Sequence, residues 1–276
     1  MKLSFSTLGC PYYGIDEIIG MAVKNGYQGI EIRTVSGTTD IMQLYDFKGS
    51  GIKETAKKIA SAGLEVVCIG TSISFAKACL AHQNKNLEAA KTYMKIAKEL
   101  DCRFIRTFGG PIPATQGFME SMKWSKEGYG KMCELGEDFG IKPLVETHDD
   151  FSTKNRVLEL IEGIQNIGVV WDIEHSIRNG EAPEDTYASL KAYIKHVHIK
   201  DVSNLLPGPT DFPLIGEGKL PIKECIAILK SSGYSGYLSF EWEKFWHPEI
   251  IEPEIAIPHF AKKIRDWEVG AEYQNA

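Results

Sequence analysis

Polar and apolar positions along this chain alternate between two rhythms. Short runs rich in β-branched and aromatic residues are separated by longer stretches whose apolar positions recur three and four apart. The strand-like runs are LSFST (3–7), GIEIR (29–33), LEVVCIG (64–70), RFIRTFG (103–109), KPLVETH (142–148), IGVVWDI (167–173), IKHVHIK (194–200) and GYLSFEW (236–242). Helical periodicity lies between them, as in IKETAKKIASAG (52–63), LEAAKTYMKIAKEL (87–100) and IKECIAILKSSG (222–233). In the last, Ile222, Ile226 and Leu229 share a face and Gly233 supplies a stop. Eight strands, each followed by a helix, predict an α/β protein of the (β/α)8 TIM-barrel type. A doubly wound sheet would usually have fewer strands and a glycine-rich phosphate turn after the first, where LGCPYYG stands instead. No linker or composition break interrupts 1–276, so one domain is expected.

The polar residues inside these runs carry the chemistry. In HVHIKD (196–201) strand alternation puts His196, His198 and Lys200 on one face and Val197 and Ile199 on the other. A strand face turned to an interior is usually apolar, because unpaired polar groups are costly to bury. In a barrel of this type the C-terminal strand ends line the active site. There the fifth run offers Glu146 and His148, and the sixth Asp172 with His175 just beyond. The seventh offers His198 and Lys200, and the eighth Glu241 and Glu243. Four successive strands thus deliver Glu146, Asp172, His198 and Glu241 to one rim. Three carboxylates and an imidazole form a mostly hard donor set, suited to one divalent cation with open positions: Mn²⁺ first, then Mg²⁺, Co²⁺ or Zn²⁺. The competing explanation needs four separate ion pairs at one rim. His196, one pleat deeper, reads as a hydrogen-bonded core histidine. Lys200 has Glu241 or Asp201 as candidate partners, and Glu31 and Arg106 read as barrel-core salt-bridge residues.

Composition narrows the class. The net charge of −6 and the lack of a basic, aromatic-interleaved block argue against a nucleic-acid footprint. Six cysteines without a CxxC pair read as free thiols of a cytoplasmic protein. There is no signal-peptide pattern and no long apolar run, so no membrane partner is expected. Apolar strips on the outer helices would permit a homo-oligomer. The segment after the eighth strand, WEKFWHPEIIEPE (242–254), offers Trp242, Trp246 and His247 as a substrate cover. Gly216 and Gly218 in GEG read mainly as a turn.

These motifs resemble the sugar-phosphate isomerase/epimerase superfamily, the xylose-isomerase-like TIM barrels. The match runs through the strand-5 Glu, the D-x-x-H of Asp172 and His175, the H-x-H of strand 7 and the F-E-x-E of strand 8. It is strongest from 142 to 243, where GEGKLPIKECIAILKSSGYSGYLSFEWE is similar to the group's usual ending. The resemblance implies Glu146, Asp172, His198 and Glu241 as metal ligands, and Glu146 and Glu241 as the proton-transfer pair. His148, His175, Lys200, Glu243 and Trp246 would touch a small carbohydrate-type substrate. The implied activity is a metal-dependent isomerase or epimerase acting through an enediolate; the alternative is an inosose- or dehydroshikimate-dehydratase-like lyase. Ser203 and Asn204 stand where ketose 3-epimerases usually carry an arginine, which counts against that subgroup. An endonuclease IV reading lacks ligands for two further metals.

Overall fold

The computed structural model describes residues 1–273. Among them, eight parallel strands close into a barrel in chain order. They are β1 (Lys2–Ser6), β2 (Gly29–Ile32), β3 (Glu65–Gly70), β4 (Phe104–Phe108), β5 (Lys142–Glu146), β6 (Gly168–Asp172), β7 (Ile194–Ile199) and β8 (Tyr237–Phe240). Around them lie α1 (Ile15–Lys24), α2 (Gly49–Ser61), α3 (Leu80–Glu99), α4 (Phe118–Phe139), α5 (Lys154–Ile161), α6 (Ile173–Arg178), α7 (Pro183–Leu190), α8 (Ile222–Ser231) and α9 (Pro253–Tyr273). The barrel closes where β1 pairs with β8, Lys2 beside Tyr237 and Phe5 beside Phe240. None of the described helices is long and apolar enough to cross a membrane.

Alternation sorts each strand between two environments. Val145, Trp171, Val197, Ile199, Leu238 and Phe240 join the main core, which the helices cover. A second apolar cluster of Val67, Cys68, Leu144, Val170 and Tyr237 is separate from it. The buried side chains of Glu31, Arg106, Glu146, His196, His198 and Ser239 belong to the barrel interior, where Glu31 meets His196, His198 and Ser239 across non-adjacent strands and Arg106 meets Glu146 of the adjacent one. All six cysteines are free thiols, as expected.

Several strands end one or two residues before the sequence pattern does, because the chain turns at once into site-bearing loops. Asp172 ends β6 and its Oδ1 accepts the Glu174 N–H at 2.9 Å, starting α6. His148 lies beyond β5, ahead of a tight turn at Asp149–Phe151. α3 begins at Leu80 rather than 87, since its opening turns, LAHQNKN, carry no apolar stripe.

Asp201, immediately past β7 and Lys200, does not pair with that lysine. Its carboxylate accepts four backbone N–H groups, from Val202, Gly216 and Gly218 at 2.9 Å each and Leu220 at 3.1 Å. The anion held by the GEG turn is therefore the chain's own. A Cβ at Gly218 would fall 2.1 Å from Asp201 Oδ1, so that approach requires glycine. Asp201→Ala would leave these N–H groups without their acceptor, with an expected loss on the order of 3 kcal/mol. Denaturant unfolding checks this, and a loss below about 1 kcal/mol would remove Asp201's role as the clasp of this loop.

The expected substrate cover is corrected at Trp242. That ring is fully buried, stacked on Phe240 at 5.5 Å, with Nε1 donating to the Ile251 carbonyl at 2.8 Å. Trp246 stands apart, 54 % exposed, its ring nearly perpendicular to that of Phe245.

Candidate metal centre and active site

The last four strands bring their terminal polar residues together. Glu146 ends β5, Asp172 ends β6, His198 is the penultimate residue of β7, and Glu241 follows β8 directly. Register sets Asp172 beside His198, and His198 beside Ser239. His198 Nδ1 lies 2.8 Å from Glu146 Oε1, 3.3 Å from Glu241 Oε1 and 4.0 Å from Asp172 Oδ2. One ligand atom from each of the four lies within 4.8 Å of all the others, and all four residues are buried.

The opposite edge of the His198 ring is held from across the barrel. Its Nε2 donates to Glu31 of β2, at 2.9 Å from Oε2 and 3.1 Å from Oε1. Glu31 Oε2 also accepts from His196 Nε2 at 2.8 Å and from Ser239 Oγ at 2.9 Å. β2 and β7 are not neighbours, so these bonds span the lumen. A carboxylate only accepts, which fixes a hydrogen on each imidazole nitrogen that faces Glu31 and leaves Nδ1 of His198 directed at the quartet. Burial by itself would raise the Glu31 carboxyl. The His198 charge and the hydrogen bonds from both histidines reverse that and hold it far below the usual range. His196 is the core histidine expected from the sequence.

Glu31 was legible only as a salt-bridge residue, and its bond to His198 is a carboxylate–histidine arrangement of the kind that orients metal ligands. A Glu31→Gln side chain would set an amide N–H against an imidazole N–H. Mn²⁺ affinity is expected to drop about 10–100-fold. Calorimetric titration of the folded variant tests it, and an unchanged affinity would deny Glu31 this part.

Lys200 is 1 % exposed and lies between carboxylates, 2.7 Å from Asp172 Oδ2, 2.7 Å from Glu241 Oε2 and 2.9 Å from Glu243 Oε1. Of the two partners considered for it, Glu241 is the one it meets. Even so, negative charge is in excess here. Asp172 is pushed up to about 8, first by burial; Lys200 opposes this, but Glu241, Glu174 and Glu146 add to it. His198 goes well above its usual value because Glu241, Glu31 and Glu146 outweigh burial. A donor set of three carboxylates and an imidazole, short of positive charge, fits a divalent cation.

At the rim, His148 and His175 pack edge to face with ring centres 4.2 Å apart. His175 Nδ1 lies 3.0 Å from Glu174 Oε2, while His175 Nε2 is buried without a hydrogen bond. His148 Nδ1 is 3.1 Å from Asp149 Oδ2 but not aligned to bond it. Arg106 Nε likewise stands 3.2 Å from Glu146 Oε2 as an ion pair without hydrogen-bond alignment. Two members escaped the sequence reading. Glu174 is buried between Lys200, His175 and Arg178, and its position one residue after the start of α6 gave no strand parity to find it by. Arg33 sits just past β2 on the parity of Glu31, which was the available signal.

Comparison with known proteins agrees with this architecture. A family model described as xylose isomerase-like TIM barrel matches residues 19–263. The chain belongs to that family. Its xylose isomerase-like relatives include a 3-dehydroshikimate dehydratase of Bacillus anthracis, 24 % identical over 210 residues, covering 74 % of this chain and 73 % of that one. Another is a fructoselysine 3-epimerase of Escherichia coli O157:H7, 23 % identical over 258 residues, covering 87 % and 90 %. Among solved structures of this fold, the IOLI protein with a bound zinc atom superposes with a TM-score of 0.81 at 21 % identity, covering 97 % and 98 %. The family relatives named here are enzymes whose reactions differ.

Proposed function

We propose that this protein is a divalent-metal-dependent isomerase or epimerase of a sugar or related polyhydroxy-carbonyl compound. The observation that carries the reading is the buried convergence of Glu146, Asp172, His198 and Glu241 at the C-terminal end of the barrel. Mn²⁺ is the preferred ion for so oxygen-rich a set. When bound there, a divalent cation supplies electrostatic stabilisation to negative charge developing on a substrate carbonyl oxygen.

The chain's own residues move the proton. Glu146 has an oxygen, Oε2, with no hydrogen bond to satisfy it, and takes the proton from carbon. Glu241, across His198, enters the step protonated and gives that proton to the opposite face of the carbon or to its neighbour, so that Glu146 ends protonated and Glu241 ionised until exchange with water resets the pair. Lys200 fixes Glu241 and Asp172 through one ammonium, which keeps the carboxylates from turning away from the site. Its partners also raise its pKa well above the usual value despite burial, the wrong direction for a Schiff-base nucleophile. In this reading His148 and His175 orient substrate hydroxyls, Glu243 joins the site through Lys200, and Trp246 would cover the bound substrate.

One observation favours a second reading, a dehydratase. His148 and His175 together hold two buried ring nitrogens without hydrogen-bond partners. A protonated imidazole there would give its proton to a departing hydroxyl, which leaves as water after a carboxylate has removed the carbon-bound proton. Incubation of the Mn²⁺-loaded protein with ketoses, inososes and 3-dehydroshikimate in D₂O separates the two. Deuterium incorporation or isomerisation without water loss supports the isomerase, and water loss supports the lyase. Neither reaction with any of these compounds, at full metal occupancy, would overturn both.

A further inference from the structure

Arg33 lies just past β2 at the C-terminal end of the barrel and is only 4 % exposed. Its Nη2 donates to Ser72 Oγ at 2.9 Å, and Ser72 is itself exposed. Nη1 is buried without a hydrogen-bond partner, and among the described residues no carboxylate lies within 4.0 Å of this guanidinium. Arg106 lies beside it. Only a glycine separates the two, since a Cβ at Gly70 would come within 2.8 Å of Arg33 Cδ and 3.1 Å of Arg106 Nη2. Arg106 is already engaged, through Nη1 with the Thr71 carbonyl at 3.0 Å and through Nε with Glu146. Arg33 is thus a buried cation beside a like charge, one side chain removed from the candidate base, with no carboxylate in contact; Glu241 and Glu146 act on it only from a distance. Burial first, and Arg106 second, lower its pKa to about 10, which leaves it charged at neutral pH. Burying an unpaired guanidinium is costly unless something completes it.

We propose that Arg33 recognises an oxyanion, a carboxylate or phosphate carried by the substrate of the neighbouring site. The inference rests on the proposed function and narrows it, from neutral sugars to polyhydroxy-carbonyl compounds bearing an anionic group. Arg33 is then a specificity residue: Nη1 meets the oxyanion, Ser72 fixes the guanidinium plane, and Arg106 adds positive potential.

Calorimetric titrations with matched probes test this, using wild type, Arg33→Gln and Arg33→Lys, each with and without Mn²⁺. The pairs are 3-dehydroshikimate with its methyl ester, and fructose 6-phosphate with fructose. In at least one pair, wild type is expected to bind the anionic member about 10–100-fold more tightly, the worth of a buried charge-assisted hydrogen bond. The pair that shows the preference identifies the source of the oxyanion. Arg33→Gln should bring the two members to within about twofold while leaving the neutral one unchanged. Arg33→Lys, which keeps the charge but loses the fork, should weaken the anionic member alone. This variant decides the matter where Arg33→Gln does not fold. Two outcomes overturn the proposal: no anionic preference in either wild-type pair, failure to bind included, or a preference undiminished in the folded variants. Absence of Mn²⁺ binding by wild type would sink the metal-dependent reading instead, while the metal-free titrations still report on Arg33.

Discussion

His198→Ala is expected to purify without stoichiometric metal and to lose Mn²⁺ affinity by more than the roughly 10–100-fold that removal of an outer partner costs. The imidazole is the only nitrogen donor of the quartet, and its Nδ1 is the atom on which Glu146 and Glu241 converge. The same substitution takes one of three donors from Glu31, which keeps His196 and Ser239. The barrel floor therefore retains two of its cross-lumen bonds, and the variant should stay folded. Metal analysis after chelation and reloading, with circular dichroism as the check on folding, reads the result. Wild-type metal content and affinity in the variant would remove His198 from the centre. The site would then be a set of carboxylates paired with Lys200 and Arg106.

Glu146→Gln has the second large effect, and it falls on the rate. The amide is nearly isosteric with the carboxylate and keeps a carbonyl oxygen beside His198, so the protein should remain folded and bind metal with reduced affinity. What it cannot do is accept a proton from carbon. Loss of a positioned base costs on the order of 10²–10⁴-fold. At saturating Mn²⁺, deuterium uptake from D₂O into whichever compound the wild type turns over should therefore fall by about that factor. Glu241→Gln is the companion measurement. It removes a charge from Lys200 as Glu146→Gln removes one from Arg106, so reduced metal affinity is expected of both variants. Exchange at the wild-type rate in metal-loaded Glu146→Gln would exclude it as the base. The acid/base work would then pass to Glu241 or to the His148 and His175 pair.

Much of the barrel was readable because its signals are local. Period-two runs bounded by helical stretches name the strands to within one or two residues, and strand parity alone places Glu146 on β5, Asp172 on β6 and His198 on β7 at one rim. Asp201 and Trp242 show where local reading stops. Asp201 looked like a partner for its neighbour Lys200, yet its acceptors are taken by backbone N–H groups of a loop that folds back over it. Trp242 looked like a cover for the site, but the chain after β8 turns the ring into the helical layer.

The sequence by itself determined the order of strands and helices, the side on which each strand residue falls, and the four donors of the candidate centre. Closure of the barrel decided the rest. The bond between Glu31 and His198 joins residues 167 apart in sequence and exists only because β2 and β7 face each other across the lumen. The isolation of Arg33 is likewise a property of the closed barrel, since the lack of a carboxylate in contact is seen only when every neighbour is in place. Parity is dictated by the geometry of one peptide after the next; partnership across a lumen depends on how the whole sheet curves.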